Sequence, residues 1–156
     1  MNRMAAAFLC VFLGFPTLIL AQSTVENEIE EKVKANYLFA AENLMDNPGE
    51  TSQHGSLAFW SSGGLLQEVS RDDTPERYAS FNLVPKHITV VPLGEGVAMA
   101  QFYVEGSYQP RNGNPVSHYL TRATQVFVLE DGEWRVRAAH FSPVTGGSGT
   151  HVTAVK

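Results

Sequence analysis

The chain has 156 residues, with 11 Lys and Arg against 16 Asp and Glu, a formal charge of -5, 44% hydrophobic residues and one cysteine. It is too apolar for a disordered protein, too poor in cysteine for a disulfide scaffold and too short for two full-sized domains. The acidic balance and the lack of any basic run argue against a nucleic-acid or anionic-membrane partner, because both require clustered Lys and Arg.

Met1 to Ala21 carries a single charge, Arg3, and an apolar stretch from Ala5 onward interrupted only by Gly14, Pro16 and Thr17. That pattern reads as a secretory signal. It is near the short limit for a spanning helix, and Ile19-Leu20-Ala21 before Gln22 is an acceptable cleavage site. An uncleaved membrane anchor is the alternative. Cys10 lies within the apolar run and would leave with the signal, so the mature chain would carry no thiol. The expected organisation is a signal peptide over 1–21, one domain over 22–145 and a flexible tail over 146–156, in a secreted or periplasmic protein with no stable membrane association after cleavage.

Ser23 with Glu26 reads as a capping box, and Val25, Ile29, Val33, Tyr37, Ala40 and Leu44 follow at helical spacing, which predicts an amphipathic helix over 24–45. Asp46-Asn47-Pro48-Gly49 stops it. Between Ser52 and Val69 the sequence suggests a helical turn and a loop. Thr74-Pro75-Glu76 is a helix-start signal and predicts a short helix from Pro75 to Asn82. From His87 the period changes to two. Val90–Leu93, Val97–Tyr108, Val116–Leu129 and Trp134–Ser142 predict a four-stranded antiparallel meander, with turns at Gly94-Glu95-Gly96, Pro110–Pro115 and Asp131-Gly132. Strands this long wrap around something, here the N-terminal helices.

Three motifs at the C-terminal end sharpen this order of elements. They are Arg122-Ala123-Thr124-Gln125-Val126, Asp131-Gly132-Glu133-Trp134-Arg135-Val136 and His140-Phe141-Ser142. Their spacing resembles the SnoaL-like branch of the nuclear transport factor 2-like superfamily and its relative, the association domain of calcium/calmodulin-dependent protein kinase II. The resemblance is specific over 86–142 and architectural over 23–85. It implies an α+β fold: a cone-shaped single domain with N-terminal helices packed on a curved antiparallel sheet of four or more strands. It implies less about activity, because members range from polyketide cyclases and ketosteroid isomerases to oligomerising domains. Where the association domain has pocket arginines, this chain has Tyr103, Gln125 and Phe141, so that anion pocket is not carried over. A carboxylate base of the isomerase kind is not evident either, since the strand carboxylates are Glu105, Glu130 and Glu133.

The register of the last hairpin decides which side chains meet. A two-residue Asp131-Gly132 turn sets Ala123 opposite His140. A three-residue loop with Gly132 in a bulge sets Arg122 opposite His140 and gathers Thr124, Val126, Trp134, Val136 and Ala138 on one face, and is the register expected here. His140 and Arg122 are then the candidate catalytic pair, His140 as general acid or base and Arg122 as a carboxylate clamp. Tyr103, Tyr119, Arg122, His140 and Trp60 are the candidate ligand-binding residues, with Trp60 and the following serines and glycines forming a lip over the cone mouth. Each has a structural alternative: a core aromatic, an ion pair of Arg122 with Glu105, an interface histidine. His54, His87, His118, His140 and His151 lack metal-ligand spacing, no metal or other cofactor is expected, and no Gly-x-Ser-x-Gly elbow is present. The leading expectation is an exported protein, non-catalytic or of unassigned activity, that binds a small apolar or amphipathic molecule and pairs as a homodimer through the outer sheet face. The rivals are a proton-transfer enzyme (isomerase, dehydratase or cyclase) using His140 with Arg122 or Tyr103, and an oligomerisation module.

Overall fold

The computed structural model describes residues 17–144, and side chains from Thr24 onward. The expected signal peptide falls mainly, and the expected tail wholly, outside the described residues. One helix, α1 (Thr17–Asn43), is followed by six strands: β1 (Ser56–Phe59), β2 (Gln67–Val69), β3 (Tyr78–Gly94), β4 (Val97–Pro110), β5 (Val116–Glu130) and β6 (Glu133–Pro143). They form one curved, unclosed sheet in the order β2-β1-β6-β5-β4-β3. All neighbours are antiparallel except β1 and β6, which pair in parallel through Leu57–Ala138, Ala58–Ala139 and Phe59–His140.

The helix buries the stripe the sequence marks. Ile29, Val33 and Ala40 are buried, and Val25 and Tyr37 pack against them. Leu44, the last residue of that stripe, is instead exposed and sits past the helix end with φ 51°. The helix starts ahead of the Ser23 capping signal because Leu18, Ile19, Leu20 and Ala21 let it propagate backward. Its far end is tied by Tyr78 N–H to Leu44 O at 2.9 Å, its middle by Trp134 Nε1–H to Glu28 at 2.8 Å. No helix among the described residues is long and apolar enough to cross a membrane.

Two local expectations fail. Residues 75–82 are not a helix: β3 begins at Tyr78, with Phe81, Leu83 and Pro85 facing in and Ser80, Asn82 and Val84 facing out. Pairing with β4 down to Tyr78–Pro110 overrides the local Thr-Pro-Glu start signal. Pro85 and Pro92 are tolerated because β3 is an edge strand. The segment 52–69 holds two short strands in place of a helical turn, because Leu57 to Phe59 extends the sheet beside β6. The expected layer of several N-terminal helices is thus a single helix.

The hairpin between β5 and β6 opens in the two-residue register and leaves it before His140, and the expected bulge at Gly132 is absent. Glu130 pairs with Glu133 around a two-residue turn in which Asp131 and Gly132 both have positive φ, 53° and 80°, the twist a tight hairpin needs. The bulge lies farther along, at Arg137, between the pairs Phe127–Val136 and Val126–Ala138. It sets Thr124 opposite His140 and Arg122 opposite Ser142. Side chains therefore switch faces within β6: Trp134 and Val136 point inward before the bulge, Phe141 after it.

Candidate functional site

The concave side of the sheet is mostly apolar, with Ala98, Ala100, Phe102 and Val104 of β4 buried beside Ala123 and Phe127 of β5. Within it lies a polar group assembled by the loop after α1. Asn47 Nδ2 donates to Asn36 Oδ1 at 2.9 Å, and Asn47 Oδ1 accepts from Gly49 N–H at 2.9 Å, closing a turn. Glu50 and Ser52 then pair with β6: Val136 N–H donates to Glu50 O at 2.8 Å and Ser52 N–H to Val136 O at 3.0 Å. Arg135 Nη1 donates to Gly49 O at 2.5 Å. So fixed, Glu50 presents its carboxyl to β5, where Gln125 Nε2 donates to Oε1 at 3.3 Å.

Burial dominates the electrostatics. It pushes the Glu50 carboxyl up to about 7, with Asp46 adding to the shift, while the Gln125 and Asn36 amides and the more distant Lys32 oppose it. Near neutral pH Glu50 is therefore half-ionised, able to give or take a proton or to pair with a cation. Asp46 is raised for the same reason, against the 2.5 Å bond that Tyr78 Oη donates to it. The Tyr37 hydroxyl is held well above its usual range by burial, then by Tyr119, Glu50 and Asp46, which places these groups around one space. Glu50 and Tyr37 nevertheless keep partial solvent contact. Strong desolvation with residual accessibility is the condition of groups lining a cleft.

Among the described residues, two buried polar atoms have no hydrogen-bond partner: Asn36 Nδ2 and Thr121 Oγ1. Asn36 is 6% exposed and its amide faces Glu50 beyond hydrogen-bond distance, close enough to favour the carboxylate. Thr121 shares the inward face of β5 with Gln125, about 13 Å away by strand rise. Aromatic rings complete the wall. Tyr37 packs edge-on to Phe102 at 6.2 Å and tilted to Phe81 at 6.4 Å, and Tyr108 joins Tyr78 at 5.9 Å to Tyr119 at 5.5 Å.

The residues singled out from sequence are divided between the two faces. Tyr119 is inside, with its hydroxyl 3.3 Å from Ser61 Oγ. Trp60 stacks on Phe141 at 5.4 Å and 7° between planes, and donates Nε1–H to Gln67 at 2.8 Å, which pins the loop beside Ser61. Tyr103, Arg122 and His140 are on the outer face. Tyr103 is Arg122's cross-strand neighbour and is 44% exposed, Arg122 donates to Pro143 O at 3.3 Å, and His140 meets Phe59 edge-on at 5.8 Å. Glu105, the anticipated ion-pair partner of Arg122, pairs with Lys86. The bulge at Arg137 is the cause: it turns His140 outward, so His140 and Arg122 do not meet inside the cone. A hollow of about 430 Å3 lined by Glu105, Gly106, Ser107, His118 and Tyr119 opens to solvent at the β4–β5 irregularity, away from Glu50.

Sequence reasoning passed over Glu50 and Asn36, and met Gln125 only as a residue standing where the association domain has a pocket arginine. Glu50 follows the Asn47-Pro48-Gly49 turn, outside any strand, where a search for strand carboxylates does not reach. Asn36 is a polar residue on the apolar stripe of α1, and Gln125 one on the inward alternation of β5; both were visible signals.

By sequence, the chain matches no protein-family model and no curated protein. By structure it is similar to a nuclear transport factor 2-like superfamily protein from Salmonella enterica (TM-score 0.59, 19% identity, covering 86% of this chain and 98% of that one). It is also similar to a nuclear transport factor 2-like protein of unknown function from Pseudomonas putida (0.56, 14%, 85% and 98%). A third similar structure is the association domain of calcium/calmodulin-dependent protein kinase II from Caenorhabditis elegans (0.53, 14%, 78% and 98%). One helix on a curved six-stranded sheet, superposing on these chains over most of its length, gives this protein the cone fold of the nuclear transport factor 2-like superfamily.

Proposed function

We propose that the protein binds a small amphipathic molecule in the concave interior without transforming it. The observation that carries this reading is the Glu50–Gln125–Asn36 group, polar and under-bonded, inside an aromatic wall. Pockets that fix small ligands have this make-up: an apolar lining with a few convergent polar groups. Of the residues first singled out, Tyr119 and Trp60 belong to this site. Proton transfer by His140 with Arg122 or Tyr103 loses its support, because those side chains stand on the open face. Native mass spectrometry of protein purified without denaturation tests the reading. A discrete bound mass that is released on unfolding is expected; a bare chain, with no response to a panel of small aromatic compounds, would overturn it.

A second role has its own observation. The outer face of the sheet exposes Phe59, Val84, Val91 and Tyr103, at 45%, 47%, 42% and 44%. Isolated apolar residues are ordinary on a surface, but several of them on one uncovered sheet face suit a second copy of the chain. The likeness to an association domain supports self-association. A monomeric mass at high protein concentration would remove this role. Export is proposed on the apolar segment before Gln22, and N-terminal sequencing of the secreted or periplasmic protein would begin at Gln22 if cleavage follows Ala21.

A further inference from the structure

The charges around Glu50 narrow the ligand class. From its own loop, Asp46 faces it, also desolvated and held by Tyr78. From α1, Lys32 acts only at a distance, its ammonium lying 3.6 Å from Glu133, and Tyr37 adds a neutral hydroxyl. From β5 comes the neutral amide of Gln125. From β6, Arg135 is engaged by Gly49 O and lies 3.9 Å from Glu130. Among the described residues, then, no side-chain cation is paired with Glu50. A buried carboxyl beside Tyr37 and without a counter-ion is poorly suited to an anion, which would meet two acids, and gains no charge term from a neutral ligand.

Resting on the reading that the interior binds a small molecule, we propose that this molecule is an amphipathic primary ammonium, with Glu50 as its counter-ion and the Tyr37, Phe81 and Phe102 rings beside its apolar body. Three features fit this class. An ammonium supplies the donor that Glu50 lacks beyond Gln125, in a setting where charge-assisted bonds are strong. Aromatic faces attract cations when these come within about 6 Å of the ring. The unpartnered Asn36 amide, 6% exposed and facing Glu50, favours the ionised carboxyl that an ammonium requires. Binding then draws the proton off Glu50, so affinity follows the ionised fraction of that residue and falls as the pH falls below neutral.

The test is a titration of isotope-labelled full-length protein, followed by NMR, with three probes of matched size: benzylamine, benzyl alcohol and benzoate. Benzylamine is expected to shift the signals of Asn36, Glu50 and Gln125 and to bind roughly tenfold tighter at about pH 8 than at about pH 6. Glu50→Gln is expected to weaken benzylamine at about pH 8 by at least roughly tenfold and to leave benzyl alcohol within about twofold. Tighter binding of benzyl alcohol or benzoate at the same signals would overturn the ammonium while leaving the interior as a ligand site. No response to any probe would overturn both. If Glu50→Gln does not fold, the pH dependence of the unmodified protein decides: affinity for benzylamine that is flat between these pH values contradicts the proposal.

Discussion

Gln125 Nε2 donates to Glu50 Oε1 at 3.3 Å, joining the loop after α1 to the centre of the sheet. This contact places a desolvated carboxyl on the concave face, and most of the chemistry available to the interior depends on it.

Glu50 makes the stability of the fold depend on pH. Its folded pKa of about 7 lies above the ordinary 4.5, so between those values the native state holds a proton that the unfolded chain has released. Stability therefore falls as pH rises from about 4.5 to about 7 and is flat beyond, a cost on the order of 3 kcal/mol in total. Glu50→Gln removes that cost: in urea unfolding it is expected to stabilise the protein above neutral pH and to be near-neutral at about pH 4. Equal effects at both pH values would contradict the assignment.

Gly106 sits at φ 137°, and a Cβ placed there would lie 1.9 Å from Asn82 O, a backbone atom of the neighbouring strand. Gly106→Ala must push β3 away from β4 and adopt a backbone conformation that alanine resists. A loss of about 3 kcal/mol or more, or failure to fold, is expected. Wild-type unfolding by urea would show that β3 does not pass so close.

Much of the architecture was legible because long periodic segments state their structure strongly. The stripe from Ile29 to Ala40 and the alternation in β4 and β5 state the helix and the sheet, and the three motifs between Arg122 and Ser142 carry the resemblance to the cone fold. What was hidden depended on long-range pairing. Residues 74–76 carry a convincing helix start, yet residues 78–82 become strand because β4 is long enough to pair with them. The position of one bulge could not be read from the turn residues, and Arg137 alone reverses the face of His140. The site was hidden for a related reason: Glu50 enters the interior because it and Ser52 each hydrogen-bond Val136, a residue distant in sequence.

Trp60 joins the loop to the sheet by stacking on Phe141 and bonding to Gln67. It is 37% exposed, so Trp60→Ala should cost only about 1–2 kcal/mol and should strip the near-ultraviolet circular dichroism of one ordered indole. An unchanged near-ultraviolet spectrum would mean that the ring is not held on Phe141.

Phe59 stands on the outer face against His140, with 45% of its surface exposed. If copies pair through that face, Phe59→Glu would place charge within the interface and shift sedimentation from dimer to monomer, while changing monomer stability by less than about 1 kcal/mol. A variant dimer as tight as the parent would place the contact elsewhere.

The most direct test of the interior is the titration of the Glu50 carboxyl itself, followed by carbon-detected NMR and assigned by its loss in Glu50→Gln. A carboxyl desolvated beneath α1 and held by Gln125 is expected to titrate near pH 7. A midpoint near the ordinary 4.5 would mean that Glu50 is open to water, and would contradict the account of the concave face as a ligand site built around it.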